Sequence, residues 1–421
     1  MRRIVVQKFG GTSVADTDKI KNVAKTVIKE KNNGNDVVVV VSAMGHTTDY
    51  LVNMAKDISK TPSDREMDML LSTGEGVSIA LLAMAIQAEG YPAVSFNAMQ
   101  IGILTESIHS KARIVKIETE KIKRNLNEGK VVVVAGFQGV TEEGEITTLG
   151  RGGSDTSAVA LATALNAERC DIYTDVEGVY TTDPRLVKNA SRLKEVSYDE
   201  MLELAHAGAN VLHPRSVEIA KLNNVPIRVR SSFKTENLGT LILGVEKMEI
   251  DRPVTGVAAD LSQTRVVVCD VPDIPGKAAN IFTKLAHENI SVDMIIQSYA
   301  RKISNTNDIA FTISSEDLDK TLTTLNAMKE DLNCGDIQVD SDIAKVSIVG
   351  AGMIDRPGIA STMFDTLAKL GVNIKMISTS EIKISCLVNK EDANRSVVAL
   401  HEEFELSCNE IADVKGDLPN I

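Results

Sequence analysis

A run of five valines, Val37-Val38-Val39-Val40-Val41, bracketed by Asp36 and Ser42, constrains this chain more than any other stretch. It is β-branched throughout and has none of the apolar–polar alternation of a half-exposed strand, so residues 36–42 read as a strand covered on both faces. Such strands belong to parallel sheets with helices above and below. The neighbouring sequence keeps that rhythm: residues 3–9 read as a buried strand, Gly10-Gly11-Thr12-Ser13 as a glycine turn, and residues 16–31 as a helix with Ile20, Val23, Ala24, Val27 and Ile28 on one face. Further strands are expected at residues 93–96, 131–135, 171–174, 226–230 and 240–243. Helices are expected at 77–88, 114–127, 158–165, 201–207 and 215–222. The expectation is an α/β unit with a mainly parallel sheet sandwiched by helices.

In open sheets of this kind ligands bind beyond the carboxyl ends of the strands, which makes the small-residue loops there the candidates. Lys8, Gly10 and Gly11 follow the first strand, and Ser42-Ala43-Met44-Gly45-His46-Thr47-Thr48 forms a loop after the second. Gly136-Phe137-Gln138-Gly139 follows the strand at 131–135. A hairpin around Glu142-Glu143-Gly144-Glu145 then leads into Gly150-Arg151-Gly152-Gly153-Ser154-Asp155-Thr156. Glycines admit close approach of backbone N–H groups to an anion, and Arg151 adds a planar fork for a carboxylate or phosphate. The same residues also fit a plain turn with Ser154 or Asp155 capping the next helix. Ser72-Thr73-Gly74-Glu75-Gly76 sets a carboxylate before the helix at 77–88, either as a functional group or as a favourable charge near a helix start. Residues 175–185 form a long polar turn with Tyr180, Asp183 and Arg185, either a surface loop or one that takes a nucleotide base and phosphates. Neither a Walker loop nor G-x-G-x-x-G is present.

A net charge of -12 and the absence of tryptophan argue against nucleic acid as a partner. Five scattered cysteines without C-x-x-C indicate neither a disulfide framework nor a zinc site. The N-terminal apolar stretch is too short for a signal peptide and no apolar run approaches membrane-spanning length, so a soluble cytoplasmic protein is expected.

Charged residues 246–253 break the rhythm and mark a boundary, after which the chain repeats itself. Pro275-Gly276 begins a helix with Ala278, Ile281, Phe282 and Leu285 inward; Pro357-Gly358 begins another with Ala360, Met363, Phe364 and Leu367 inward. Each unit reads strand, helix, strand, strand, helix, strand, the first opening at 266–271 and the second at 345–349. Residues 254–261 are a surplus strand, which implies that one unit is discontinuous with the other inserted into it. The resulting division is 1–245, a linker and surplus strand at 246–263, then 264–340 and 341–421.

With these motifs in hand, the chain resembles the aspartate kinases of the amino acid kinase family. Lys8-Phe9-Gly10-Gly11-Thr12-Ser13, Ser42-Ala43-Met44-Gly45, Ser72-Thr73-Gly74-Glu75, the Arg151 stretch and residues 174–185 carry the resemblance in order. The repeated units resemble paired βαββαβ ACT domains of ferredoxin-like fold, so the likeness covers nearly the whole chain. It implies ATP-dependent phosphorylation of the L-aspartate side chain to 4-phospho-L-aspartate, the entry to lysine, threonine, methionine and diaminopimelate synthesis, with Mg2+ arriving on ATP. In that reading Lys8 holds the transferring phosphoryl group, Arg151 clamps the aspartate α-carboxylate, Glu75 receives its ammonium, and Asp155 supports the site. Thr47, Thr48, Phe137, Gly152, Gly153 and Ser154 line the aspartate side. Phe9, Gly10, Gly11, Ser42, Ser154, Thr174, Asp175, Tyr180, Asp183 and Arg185 join Lys8 on the nucleotide side. Asp273, Ile274, Gly276, Ala278, Asp293, Gln297, Asn373, Ile374, Ser380 and Glu381 are expected to bind lysine or threonine as feedback effectors, and the paired units to associate into a homo-oligomer.

One position departs from the family: Asn210 stands where many members have lysine, so a cationic nucleotide contact is not carried over there. Taken singly, Lys8 also fits a strand-end lysine with its head in water and Arg151 a surface ion-pair partner. Three rival roles stand beside the main reading: a glutamate- or acetylglutamate-type kinase, a non-catalytic amino-acid sensor, and a repeat that only builds a dimer interface. Which effector binds, whether the assembly is a dimer or tetramer, and whether a second start near Met248 is used are left open.

Overall fold

The structure, a computed structural model, describes residues 2–209, 211–244, 252–298, 305–354 and 356–407. The chain divides into two compact units. The first comprises Met1–Tyr180, Arg192–His206 and Asn210–Met248; the second comprises Thr181–Ser191, Ala207–Ala209 and Glu249–Ile421. Asn210, the charged residues 246–250 and Cys408 lie outside the described residues.

The first unit is built on an eight-stranded sheet in the order Glu195–Ser197, Thr240–Leu243, Ile227–Ser231, Arg169–Thr174, Ile4–Phe9, Asp36–Val41, Val131–Ala135, Ala93–Phe96. Every neighbouring pair is parallel except Ile227–Ser231 with Thr240–Leu243. The valine run sits near its centre, and Val37 to Val41 are wholly buried. At roughly 1.5 kcal/mol or more for each fully buried valine, this strand alone supplies a large share of the driving force for the sheet. Helices Thr17–Asn32 and Thr73–Ala88 cover one face, where Ile20, Val23, Val27, Ile79, Leu82 and Ile86 meet Phe9, Val39 and Val133. Helix Gly153–Leu165 packs on strand Ile4–Phe9 and on helix Pro214–Asn223. A small second sheet, in the order Ile114–Ile117, Ile103–Thr105, Gln138–Val140, Ile146–Thr148, includes the hairpin that leads into the Arg151 loop.

Four expectations change. Residues 114–127 are not one helix. Ile114–Ile117 is a strand paired with Ile103–Thr105, as its β-branched residues favour, and only Glu120–Asn127 is helical. Thr47 and Thr48 are not loop residues but the first turn of helix Thr47–Ile58, and Glu75 lies inside the first turn of Thr73–Ala88 rather than before it. Residues Asp64–Ala88 are also long and apolar enough to cross a membrane by composition, contrary to the expectation from the sequence. The stretch is two consecutive helices, and Ile79, Leu82, Ala83 and Ile86 join the core of the first unit, which accounts for its apolarity.

The second unit contains two antiparallel four-stranded sheets. One runs Val292–Gln297, Thr306–Ser314, Gln263–Pro272, Ile337–Asp340; the other runs Gly256–Asp260, Ile343–Val349, Lys383–Asn389, Met376–Thr379. Helices Lys277–His287 and Leu318–Ala327 pack with the first, Ile359–Lys369 and Ala393–Glu403 with the second. Strand Gly256–Asp260, at the expected surplus strand, pairs with Ile343–Val349. The fourth strand of the second repeat therefore precedes the first repeat in the chain, instead of closing the second repeat at its C-terminal end. The two sheets meet through Met294, Ile343, Met376 and Leu387, and through an ion pair between Asp293 and the buried Lys345.

Candidate active site

The carboxyl ends of the central strands converge on Lys8. Its ammonium lies 2.6 Å from Asp155 Oδ1, and both side chains are nearly nine-tenths buried, at 12% and 11% exposure. Strand Ile4–Phe9 fixes the lysine and the first turn of helix Gly153–Leu165 fixes the carboxylate, whose charge is favourable at a helix N-terminus. A cation paired this way is ordered before any ligand arrives. Ser42 Oγ donates to Ser154 Oγ at 2.9 Å and ties the loop after the valine strand to the same helix start. A side chain at Gly136 would place its Cβ 2.8 Å from Ser154 Oγ, and one at Gly11 would meet Ala43 O at 2.9 Å, so both glycines are required by close approach.

Glu75 is 2% exposed. Its Oε1 accepts from Ala43 N at 3.2 Å, while Gln138 Nε2 stands 3.5 Å from its Oε2. Burial pushes its carboxyl up to about 7, against the smaller opposing effect of these hydrogen bonds. A carboxylate in that state is poised to gain from a cationic partner.

Arg151 has the opposite character. It is exposed, with no ion pair or hydrogen bond among the described residues, and it stands between Gly150 and Gly152, whose φ values are 77° and 70°. Gly150 cannot bear a side chain, since its Cβ would lie 2.9 Å from Ser110 O. Phe137, also left-handed at φ 70°, donates its N–H to Ser157 Oγ at 3.0 Å and accepts from Leu149 N at 2.9 Å. Left-handed backbone at a bulky residue costs on the order of 1–3 kcal/mol and persists where its surroundings enforce it.

Of the expected nucleotide-side residues, Thr174 donates its hydroxyl to Asp175 Oδ1 at 2.9 Å, and the Thr174 carbonyl accepts from Ser232 N and Oγ. Ser232 Oγ lies 2.7 Å from Ser13 Oγ, linking this strand end to the first glycine turn. Tyr180 is partly buried and bridges to Arg192. Asp183 and Arg185 pair with each other at 2.8 Å, which holds the Asp183 carboxyl below its usual range, and both belong to the second unit. Phe9 turns its side chain away from these loops. Its ring is wholly buried and stacks on Tyr173 at 4.5 Å, and its carbonyl accepts from Ser42 N. Thr47 bonds Met44 O at 2.6 Å, and Thr48 is half-buried beside it in the same helical turn.

Several supporting residues escaped the sequence reading. Arg215 donates to Leu149 O at 2.9 Å and to Ala112 O at 2.7 Å, bracing the chain just before Gly150. The His213 ring lies where any Gly152 side chain would go, with Cγ 2.3 Å from that Cβ position, and burial lowers its pKa. Wholly buried Asp68 accepts from Thr148 Oγ1 at 2.5 Å and from Ser110 N, fixing the strand that delivers the Arg151 loop. The sequence carries no local signal for these contacts, because each joins segments far apart in the chain.

In the second unit, Asp273, Ile274, Gly276, Ala278 and Gln297 line one cavity of about 330 Å³ together with Asn307. Asn307 is 2% exposed; its Nδ2 donates to Asp273 Oδ1 at 3.1 Å, while its Oδ1 has no partner among the described residues. Asn373, Ile374, Ser380 and Glu381 are not among the lining residues; Asn373 and Ile374 precede strand Met376–Thr379, and Ser380 and Glu381 follow it. A larger cavity of about 870 Å³, lined by Arg3, Ile4, Asp36 and Glu168, sits at the amino ends of the central strands. It is on the wrong end of the sheet for the chemistry, which places the site by its polar groups and not by volume. No cluster of three or more metal-ligating side chains occurs among the described residues.

The amino acid kinase family matches residues 3–231, and the ACT domain matches 266–328 and 346–404. An aspartokinase of Bacillus sp. strain MGA3 is 56% identical over 404 residues, 96% of this chain and 98% of that one. Aspartokinase 2 of Bacillus subtilis is 54% identical over the same shares. Among solved structures, E. coli aspartokinase III in complex with aspartate and ADP, in the R-state, superposes with a TM-score of 0.82 at 30% identity, covering 95% of this chain and 99% of that one. The same enzyme with lysine and aspartate, in the T-state, gives a TM-score of 0.74.

Proposed function

The chain belongs to the amino acid kinase family, as an aspartokinase with paired ACT domains, and from that membership we propose how its residues perform and regulate the reaction. The reaction is transfer of the γ-phosphoryl group of ATP to the side-chain carboxylate of L-aspartate, giving 4-phospho-L-aspartate. It is the first step toward lysine, threonine and methionine. The observation that carries the assignment of roles is the pairing of unlike groups: a buried carboxylate pushed up to about 7 at Glu75 and, at Arg151, an exposed guanidinium with no ion pair among the described residues. They are linked through Gln138, which reaches Glu75 and pairs in register with Thr148, just before the Arg151 loop. A zwitterionic amino acid needs that combination, its ammonium on Glu75 and its α-carboxylate on the Arg151 fork.

The substrate's side-chain carboxylate is ionised at neutral pH, so no general base is required and catalysis is positioning plus neutralisation of charge. Lys8 supplies the cation at the transferring phosphoryl group. Asp155 orders it, and the backbone at Gly10, Gly11 and the start of helix Gly153–Leu165 surrounds it. Ser42 and Ser154 hold the two loops in register. Thr47, Thr48, Phe137 and Gly152 shape the aspartate side; Thr174, Asp175, Tyr180, Asp183 and Arg185 serve the nucleotide. Mg2+ at such sites is bound largely through phosphate oxygens and water, and enters with ATP.

Regulation is by lysine, threonine or both, bound at the ACT units. The cavity at Asp273 and Gly276 offers the start of helix Lys277–His287 to a carboxylate and the unpaired Asn307 Oδ1 to an ammonium. Asp293, Asn373, Ile374, Ser380 and Glu381 complete the effector contacts in an assembly of at least two chains. Incubation with MgATP, hydroxylamine and either aspartate, glutamate or acetylglutamate tests the function. Hydroxamate with aspartate alone is expected; hydroxamate with another acid, or none, rejects it.

A further inference from the structure

We propose that His401, on helix Ala393–Glu403 of the second unit, is a positioning residue for nucleotide use, acting through Thr181 on the loop that carries Tyr180, Asp183 and Arg185. The proposal rests on the assignment of that loop to the nucleotide. In sequence the loop continues from strand Arg169–Thr174 of the first unit, yet residues Thr181–Ser191 pack as part of the second. Their attachment is specific. The Thr181 carbonyl accepts from Val257 N at 2.8 Å, and its Oγ1 accepts from Ser191 N at 3.0 Å while bonding His401 Nε2 at 2.9 Å. Leu186 packs against the cluster built on Val257, Val397 and Leu400, and Asn189 Nδ2 donates to Ser407 Oγ at 2.8 Å.

His401 is wholly buried, and burial lowers its pKa, so it is neutral here. Its second ring nitrogen, Nδ1, has no hydrogen-bond partner among the described residues. A leucine would fill this apolar helix face beside Val397 and Leu400 without stranding a nitrogen, so packing alone does not account for a histidine. The one polar contact of its side chain among the described residues is the Thr181 hydroxyl, itself 2% exposed and next in sequence to Tyr180. His401 thereby holds Thr181, and with it the start of the segment that carries Asp183 and Arg185, within the second unit.

The test uses the full-length protein. His401→Leu and the near-isosteric Thr181→Val should each raise the KM for MgATP and the Kd for MgADP, measured by calorimetry, by roughly three- to tenfold, the effect of losing one buried hydrogen bond. Aspartate KM and kcat at saturating ATP should stay within about twofold of the parent, and the double variant should be no worse than either single one, because one bond is being removed. His401→Gln, which keeps a polar group near Thr181, should recover most of the loss. Unchanged MgADP affinity in both single variants, additive losses in the double variant, or parallel rises in both KM values would overturn the proposal. A parent that binds MgADP but forms no hydroxamate with aspartate would instead reject the kinase assignment and leave the His401 contact standing.

Discussion

Glu75 gives the sharpest consequence of the site's electrostatics. Its carboxyl is pushed up to about 7 by burial, so the ligand-free protein at pH 7 carries it roughly half protonated. An aspartate ammonium placed on it favours the ionised form, and binding must release the proton. The linkage follows directly. Aspartate should bind about tenfold more tightly at pH 8 than at pH 6, with release of most of a proton at pH 6, about half at pH 7 and little above pH 8. Without ligand the sign is reversed: a raised carboxyl pKa means that the folded state binds more protons than the unfolded one between about 4.5 and 7. Stability is therefore lost as pH rises through that window, by roughly 2.5 kcal/mol from pH 5 to 8. Glu75→Gln keeps the size of the side chain, and an amide oxygen can still accept from Ala43 N. The variant should lose the pH dependence of both quantities and bind aspartate weakly at every pH. Calorimetry in buffers of different ionisation enthalpy reads the proton count directly. If parent and Glu75→Gln exchange the same number of protons on binding aspartate between pH 6 and 8, Glu75 does not receive the ammonium.

Lys8→Ala should lower kcat about a hundredfold or more with a small change in aspartate KM, and it should also destabilise the fold because Asp155 is left buried without its partner; steady-state rates on folded protein decide it, and a near-normal kcat removes Lys8 from the chemistry. Arg151→Lys should raise aspartate KM strongly while leaving the thermal transition in place, since the residue is exposed and a point ammonium does not reproduce a bidentate clamp; an unchanged KM refutes the assignment. Parent activity should fall some 5- to 150-fold on titration with lysine, threonine or their mixture, and Gly276→Asp should blunt the response by setting a carboxylate where the effector's own would bind; a parent that ignores every combination makes the repeat architectural.

The layered fold was legible because it rests on local signals. The valine strands and the glycine turns after them carry their own pattern, and Pro-Gly at 275 and 357 announced both ACT helices. What failed was local ambiguity. Ile114-Val115-Lys116-Ile117 fits a helix face as well as a strand until Ile103–Thr105 pairs with it. Helix Thr47–Ile58 carries an apolar stripe of Leu51, Met54, Ala55 and Ile58 but buries no residue fully, and the small residues 42–48 before it read as a loop running through its first turn. At the site, the residue types were readable but their partnerships were not. Nothing in the sequence says that Lys8 meets Asp155, that Glu75 is buried under Gln138, or that Arg215 braces Leu149, because those contacts join segments far apart in the chain. Phe9 illustrates the converse: a residue inside a ligand motif whose alternation on the strand sends its ring into the core.

In the proposed site, phosphoryl transfer ends on the side-chain carboxylate of aspartate and not on its α-carboxylate, which the Arg151 fork would hold. Reducing the enzymatic product with borohydride before it hydrolyses converts the acyl phosphate to an alcohol and so records which carboxyl was phosphorylated. Homoserine is expected, formed only when the parent, MgATP and L-aspartate are all present. Recovery of 3-amino-4-hydroxybutyrate, the α-carboxyl product, or of unreduced aspartate alone, would contradict that assignment.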